Sequence, residues 1–232
     1  MSRQQIWDKS RLKEVEKQLQ LRITEEKKKL QILEKEVTFP FKIILLGGSG
    51  VGKSCLLNRY YNDVFSPTFL STIGSDCKVS QKTKNIKLQI WDTAGNFRFR
   101  EMTASSISQN DVILICVDLC CSFDESIGEI SRFYSMVLTY GHPRSKVIFV
   151  GCKYDMKNRI DEMTLMELEL FSEERNSMFI PVSAKADINV DYLFLKSVSL
   201  AFDRYDTGLL GLTKDSIQLR YYAEDKKRRK CC

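Results

Sequence analysis

Four glycines, a lysine and two hydroxyls within the eight residues GGSGVGKS, Gly47–Ser54, are suited to holding a polyphosphate. Glycines let successive backbone N–H groups turn inward onto phosphate oxygens, and a helix opening directly behind them adds its positive end. Lys53 brings a full charge to the same place, and the Ser54 hydroxyl is a hard oxygen ligand of the kind Mg2+ takes. The spacing is that of the phosphate-binding pattern G-x-x-x-x-G-K-S/T. Its context fits, since the apolar run FKIILL at 41–46 reads as a buried strand and a helix is expected from about Lys53.

A carboxylate stands 38 residues after Ser54, where the strand-like KLQI delivers Trp91 and Asp92 into the small-residue turn Thr93, Ala94, Gly95. Asp92 is placed to hold the same Mg2+, and the bare amide of Gly95 is available to a terminal phosphate. In GCKYD, the Asp155 carboxylate can accept from two adjacent N–H groups on the Watson–Crick edge of guanine, a pair that adenine does not offer. The tripeptide Ser183, Ala184, Lys185 follows the last predicted strand, where a backbone N–H could meet the guanine carbonyl. In this order behind a phosphate loop, these segments point to GTP, and an ATPase or nucleoside kinase would leave Asp155 and the tripeptide without a role.

The elements that position these groups alternate. Strands are expected at 41–46, 112–117, 146–151 and 178–182, with an alternating hairpin at about 76–81 and 86–91. Helices are expected from Lys53 and near 123–139, 161–174 and 188–204. Such alternation argues for an α/β fold: a mostly parallel sheet covered by helices on both faces, with one antiparallel strand from the hairpin and binding at the carboxyl ends of the strands.

Residues 1–37 form a separate extension, 38–205 the domain and 206–232 a flexible tail. The formal charge of +6 lies at the two ends. Residues 1–37 hold ten basic and seven acidic side chains and residues 220–232 six and two, whereas 38–219 is nearly neutral with 20 and 21. A nucleic-acid stripe on the domain is therefore not expected. The eight cysteines include no C-x-x-C pair, and the single His142 stands in a loop, so neither zinc nor a disulfide framework is expected. MSRQQIW lacks an apolar signal core, and the longest apolar run, VILICV, is too short to span a bilayer. In 6–37, Leu12, Val15, Leu19, Ile23, Leu30, Leu33 and Val37 make a thin heptad-like stripe, compatible with a homo- or hetero-coiled coil or with a solvated helix. Phe39, Pro40 and Phe41 read as its close.

GGSGVGKSCLL, STIG, KLQIWDTAG and RFR resemble the Ras-like small GTPases, and within them the Rab branch, over about residues 40–205. The resemblance implies a P-loop G domain with a six-stranded sheet, GTP, GDP and Mg2+ as ligands, and two loops released when the γ-phosphate leaves. It implies nucleotide contacts from Ser49, Gly50, Val51, Gly52, Lys53, Ser54, Cys55, Phe65, Thr72, Gly95, Cys152, Lys153, Asp155, Ser183, Ala184 and Lys185. Metal contacts would come from Ser54, Thr72 and Asp92, and catalysis would involve Asn96, Lys53 and Gly95. It also implies effectors, an exchange factor and a GTPase-activating protein at the switch loops.

Three positions depart from the family. Asn96 takes the place of the glutamine that orients the attacking water and reaches roughly 1.5 Å less far; a misplacement of about 1 Å can cost ~100-fold, so slow hydrolysis is expected. Cys152 takes the place of an asparagine in the guanine-reading motif, and a thiol is a poor hydrogen-bonding substitute, so fast exchange is expected. Phe97 replaces an acidic neighbour and reads as an effector contact or local packing.

The chain ends in KKRRKCC. By the same resemblance, Cys231 and Cys232 receive geranylgeranyl groups from a prenyl transferase, with an escort or GDI-type chaperone. Two lipid chains give stable anchoring, and Lys226–Lys230 add attraction to an anionic leaflet. The expected place is the cytoplasmic face of intracellular membranes, with a cytosolic pool. The leading expectation is a Rab-type switch in vesicle traffic. The alternative is a pseudo-GTPase scaffold acting through the N-terminal helix and switch surface.

Overall fold

A computed structural model of the chain describes residues 21, 22, 24, 25, 39–66, 72, 74–80, 86–96, 98 and 100–206. Leu21, Arg22, Thr24 and Glu25 are helical. The rest of the predicted N-terminal helix, Phe97, the hairpin connection at 83–85 and the tail with Cys231 and Cys232 lie outside the described residues.

Six strands run β1 Phe39–Leu46, β2 Ser75–Ser80, β3 Ile86–Thr93, β4 Val112–Asp118, β5 Lys146–Cys152 and β6 Met178–Pro181. Among the described residues, five α-helices lie between and after them: α1 Lys53–Asn62, α2 Arg100–Ile107, α3 Phe123–Tyr140, α4 Glu162–Glu173 and α5 Val190–Asp206. The sheet order is β2-β3-β1-β4-β5-β6, parallel throughout except for the β2–β3 pair. Helical crossovers deliver parallel strands and a short connection delivers the antiparallel one, so the expected alternation and the antiparallel hairpin both appear.

Side-chain alternation divides the core in two. Phe41, Ile43 and Leu45 of β1 face α1 and α5, meeting Leu56, Leu57, Leu193 and Phe194. Ile44 and Leu46 face the opposite side, with Ile107 of α2, Ile130 and Phe133 of α3 and Leu168 of α4. β4 is buried on both faces from Val112 to Val117, which is why it reads as an unbroken apolar run. Helix α3 is fixed at its start by a capping box, in which Ser122 accepts from the Glu125 amide while the Glu125 carboxylate accepts from the Ser122 amide.

Two differences from the sequence reading have physical causes. Phe39, Pro40 and Phe41 open β1 and do not close the extension, because Phe39 is paired in parallel register with Ile86 of β3; a proline is tolerated at a strand's start. Helix α2 was not expected. It turns only a few small or apolar residues inward, namely Thr103, Ala104 and Ile107, and its sequence REMTASSI shows no clear stripe. No helix among the described residues is long and apolar enough to cross a membrane.

Candidate nucleotide site

The loop from Gly47 to Gly52 leaves β1 and enters α1. Gly52 caps the helix at φ 117° and Gly50 stands at φ 79°, conformations that side chains rarely adopt, so the loop's turn depends on glycine at these two places. Lys53, 5% exposed, donates from Nζ to the Gly47 and Gly48 carbonyls, both at 2.7 Å. Burial lowers its pKa, against the opposing charges of Asp92 and Glu129. The ammonium is thus held under the loop, on carbonyls it can exchange for stronger anionic acceptors.

Three oxygens meet at the start of α1. Ser54 Oγ donates to Asp92 Oδ2 and lies 3.0 Å from Thr72 Oγ1, which is itself 3.4 Å from Asp92 Oδ2. Burial pushes the Asp92 carboxyl up, offset in part by the Ser54 hydrogen bond and the Lys53 charge. Its second oxygen, Oδ1, is buried with no hydrogen-bond partner. Leaving a buried acceptor unpaired costs about 1–3 kcal/mol, more for a charged group. A small oxygen-seeking cation would satisfy it, and the all-oxygen donor set of Ser54, Thr72 and Asp92 is the type Mg2+ accepts while keeping several waters.

Next to this cluster lies a cavity of about 750 Å3, a size suited to a small-molecule ligand. The phosphate-loop end is lined by Ser49, Gly50, Gly52, Lys53, Ser54 and Cys55, with Thr72 and Gly95 beside them. The far end is lined by Cys152, Lys153, Asp155, Ala184 and Lys185, with Phe65 also in the wall. Of the sequence-predicted contacts, Val51 and Ser183 are buried behind the lining. Ser183 Oγ donates to Asp155 Oδ1 at 2.6 Å and accepts from the Ala186 amide at 2.9 Å, so it holds the carboxylate in place. Lys153, at φ 64°, donates to Asp118 Oδ2 at 2.6 Å. Burial alone would depress its ammonium, but the hydrogen bond and charge of Asp118 outweigh that and hold it above its ordinary value.

Asn96 is placed differently. Its side chain is exposed, does not line the cavity, and accepts from the Arg98 amide at 3.1 Å, closing a local turn. Cys152 is 3% exposed at the end of β5 and lies beneath the phosphate loop, where a Cβ on Gly52 would come 3.6 Å from the Cys152 Cβ and 3.9 Å from its Sγ.

Residues 42–202 match the model of the Ras family. The chain belongs to that family. Ras-related protein SEC4 of Saccharomyces cerevisiae is 36% identical over 73% of this chain and 78% of its own length. Ras-related protein RABD2a of Arabidopsis thaliana is 38% identical over 69% and 79%, and Ras-related protein Rab-30 of Homo sapiens is 36% identical over 68% and 77%. With these relatives, the chain is a Rab-like small GTPase of the Ras superfamily.

In this Ras-family domain, sequence reasoning missed the groups that brace the predicted contacts. Asp118 ends β4 in register with Cys152, and a strand-end carboxylate beside the base-reading strand was a legible signal. Arg59 donates from Nε to the Ala184 carbonyl at 2.7 Å and from Nη1 to the Asp63 carbonyl at 2.9 Å, tying the end of α1 to the loop after β6. Nothing local in the sequence announces that contact, which spans 125 residues. Leu56, Met156 and Val182 complete the cavity wall as apolar surface.

Proposed function

We propose that this Rab-like chain is a membrane-anchored switch that binds GTP and GDP with Mg2+, hydrolyses GTP slowly and recruits effectors in vesicle traffic. The reading rests above all on one observation: a buried, unpaired carboxylate oxygen of Asp92 stands beside the Ser54 and Thr72 hydroxyls at the rim of a cavity that also takes in Lys53 and Asp155. Ser49, Gly50, Val51, Gly52, Lys53 and Cys55 hold the phosphates, while Ser54, Thr72 and Asp92 hold the metal. Held by these residues, Mg2+ would supply positive charge to the phosphate oxygens. Phe65, Lys153, Asp155, Ser183, Ala184 and Lys185 hold the guanosine, with Cys152 supplying packing where a hydrogen bond is usual. Thr72 and Gly95 sense the γ-phosphate through loops released when it leaves, and exchange factor, activating protein and effectors read those loops. Cys231 and Cys232 take the lipid, handed on by a transferase and escort chaperone, which keeps the protein on the cytoplasmic face of membranes with a cytosolic pool.

Nucleotide extracted from the purified protein tests this directly. Guanosine di- or triphosphate close to one per chain is expected, and an adenine nucleotide in its place would overturn the assignment. Slow turnover is tested by Asn96→Gln, which restores the missing methylene. Single-turnover hydrolysis should rise on the order of tenfold or more, and an unchanged rate would remove Asn96 from the mechanism.

A further inference from the structure

Helix α4 is apolar on two sides. Thr164, Leu168 and Ser172 are buried against the domain, while Met163, Met166 and Leu170 face outward at 55%, 50% and 56% exposure. Positions i, i+3 and i+7 fall on one face of a helix, so the three form a continuous outer stripe. Carboxylates stand on both sides of it. Residues 161–174 contain Asp161, Glu162, Glu167, Glu169, Glu173 and Glu174 and no basic side chain. Single exposed apolar residues need no explanation, but a stripe rimmed by one sign of charge marks an interaction face.

We propose that this stripe is the docking surface for the chain's own N-terminal segment, centred on residues 8–23. That segment has the matching pattern, with Leu12, Val15 and Leu19 at the same i, i+3, i+7 spacing and Ile23 continuing the face. Its net charge is opposite, since residues 8–23 hold five basic side chains, Lys9, Lys13 and Lys17 among them, against the three acidic ones Asp8, Glu14 and Glu16. Leu21 falls on the helix side opposite the stripe and is 56% exposed in a helical stretch. Reach is sufficient. The extension joins the domain at Phe39, the start of β1, and α4 ends at Glu173, just ahead of the start of β6 at Met178, so both junctions lie at the amino ends of parallel strands. β1 and β6 are three strand spacings apart in the sheet order, about 14 Å. The residues between Ile23 and Phe39 span that easily at up to ~3.3 Å each. Leucine and methionine packing supplies the apolar contact, and lysine–glutamate pairs along its rim set orientation and make it salt-sensitive.

Carbodiimide coupling of lysines to carboxylates in the full chain tests this, using an equal mixture of 15N-labelled and unlabelled protein at low salt. Peptides joining Lys9, Lys13 or Lys17 to Glu167, Glu169 or Glu173 are expected within single chains. Their yield should fall at least tenfold in M166E/L170E, and amide exchange over 8–23 should quicken. The variant L12Q/L19Q keeps all three lysines, leaves the domain untouched and should lose the coupling equally, so the result does not depend on how well the first variant folds. No coupling, coupling only between differently labelled chains, or coupling unchanged in L12Q/L19Q would each overturn the proposal.

Discussion

Cys152 sits where the base-reading strand ends and the phosphate loop turns into α1, and its thiol is a weak donor in a place that asks for a strong one. The Cys116 thiol of β4 lies beside it: hydrogen bonding to Cys152 and burial hold the Cys116 thiol well above the usual thiol range. Two thiols underlie the loop where, by the family resemblance, an amide would bridge loop and base. Replacing Cys152→Asn restores that bridge at the cost of a slightly larger side chain against Gly52. One recovered buried hydrogen bond is worth about 1–3 kcal/mol, so release of bound GDP should slow by roughly 5- to 150-fold. Stopped-flow release of a fluorescent GDP analogue measures it. Equal or faster release in the variant would mean that the thiol is not what weakens retention. Both Cys152 and Asn96 were legible as departures only through the resemblance to the Ras-like family, whose motifs they interrupt. What Asn96 touches was not legible, because its bond to the Arg98 amide depends on how the turn after β3 closes.

At the scale of elements, the turn after β3 and the turn after β1 meet backbone to backbone. A Cβ on Gly95 would come within 2.3 Å of the Gly48 carbonyl carbon and of the Ser49 nitrogen, and within 2.4 Å of the Gly48 oxygen. No flexible side chain can yield there, so Gly95→Ala must push the two loops apart. Overpacking of this kind costs about 1–3 kcal/mol, or roughly 2–12 °C of Tm for a domain of this size. Calorimetry on the variant should show that fall together with weaker triphosphate binding; an unchanged Tm would mean the loops drift apart freely. The strands and the long helices were legible because burial writes a period into the sequence: β4 as a continuous apolar run, α3 as a stripe behind Ser122. Helix α2 was not, since it leans on the sheet with small residues, and neither was the true start of β1, which pairing with β3 decides over the local break at Pro40.

For the whole molecule, the site is assembled from the carboxyl ends of β1, β3, β4 and β5 and the loop behind β6, so nearly every strand has a stake in the ligand. The Asp92 Oδ1 oxygen is unsatisfied, and the buried Lys53 ammonium rests on two neutral carbonyls that an anion can replace. A ligand that binds only the folded state stabilises it by RT ln(1 + [L]/Kd), about 2.7 kcal/mol at one hundred times Kd. That corresponds to roughly 5–11 °C of Tm here. Protein stripped of nucleotide and metal should therefore gain a shift of that order with GDP and Mg2+, and chelation should take much of it away. ADP with Mg2+ meets the same phosphate loop but leaves Asp155 without its paired donors, and a site built on such pairing can discriminate by ~10^4. At equal concentration its shift should be close to nil. Equal shifts with ADP and GDP would show that the far end of the cavity does not read the base, while a GDP shift indifferent to chelator would show that Ser54, Thr72 and Asp92 hold no metal.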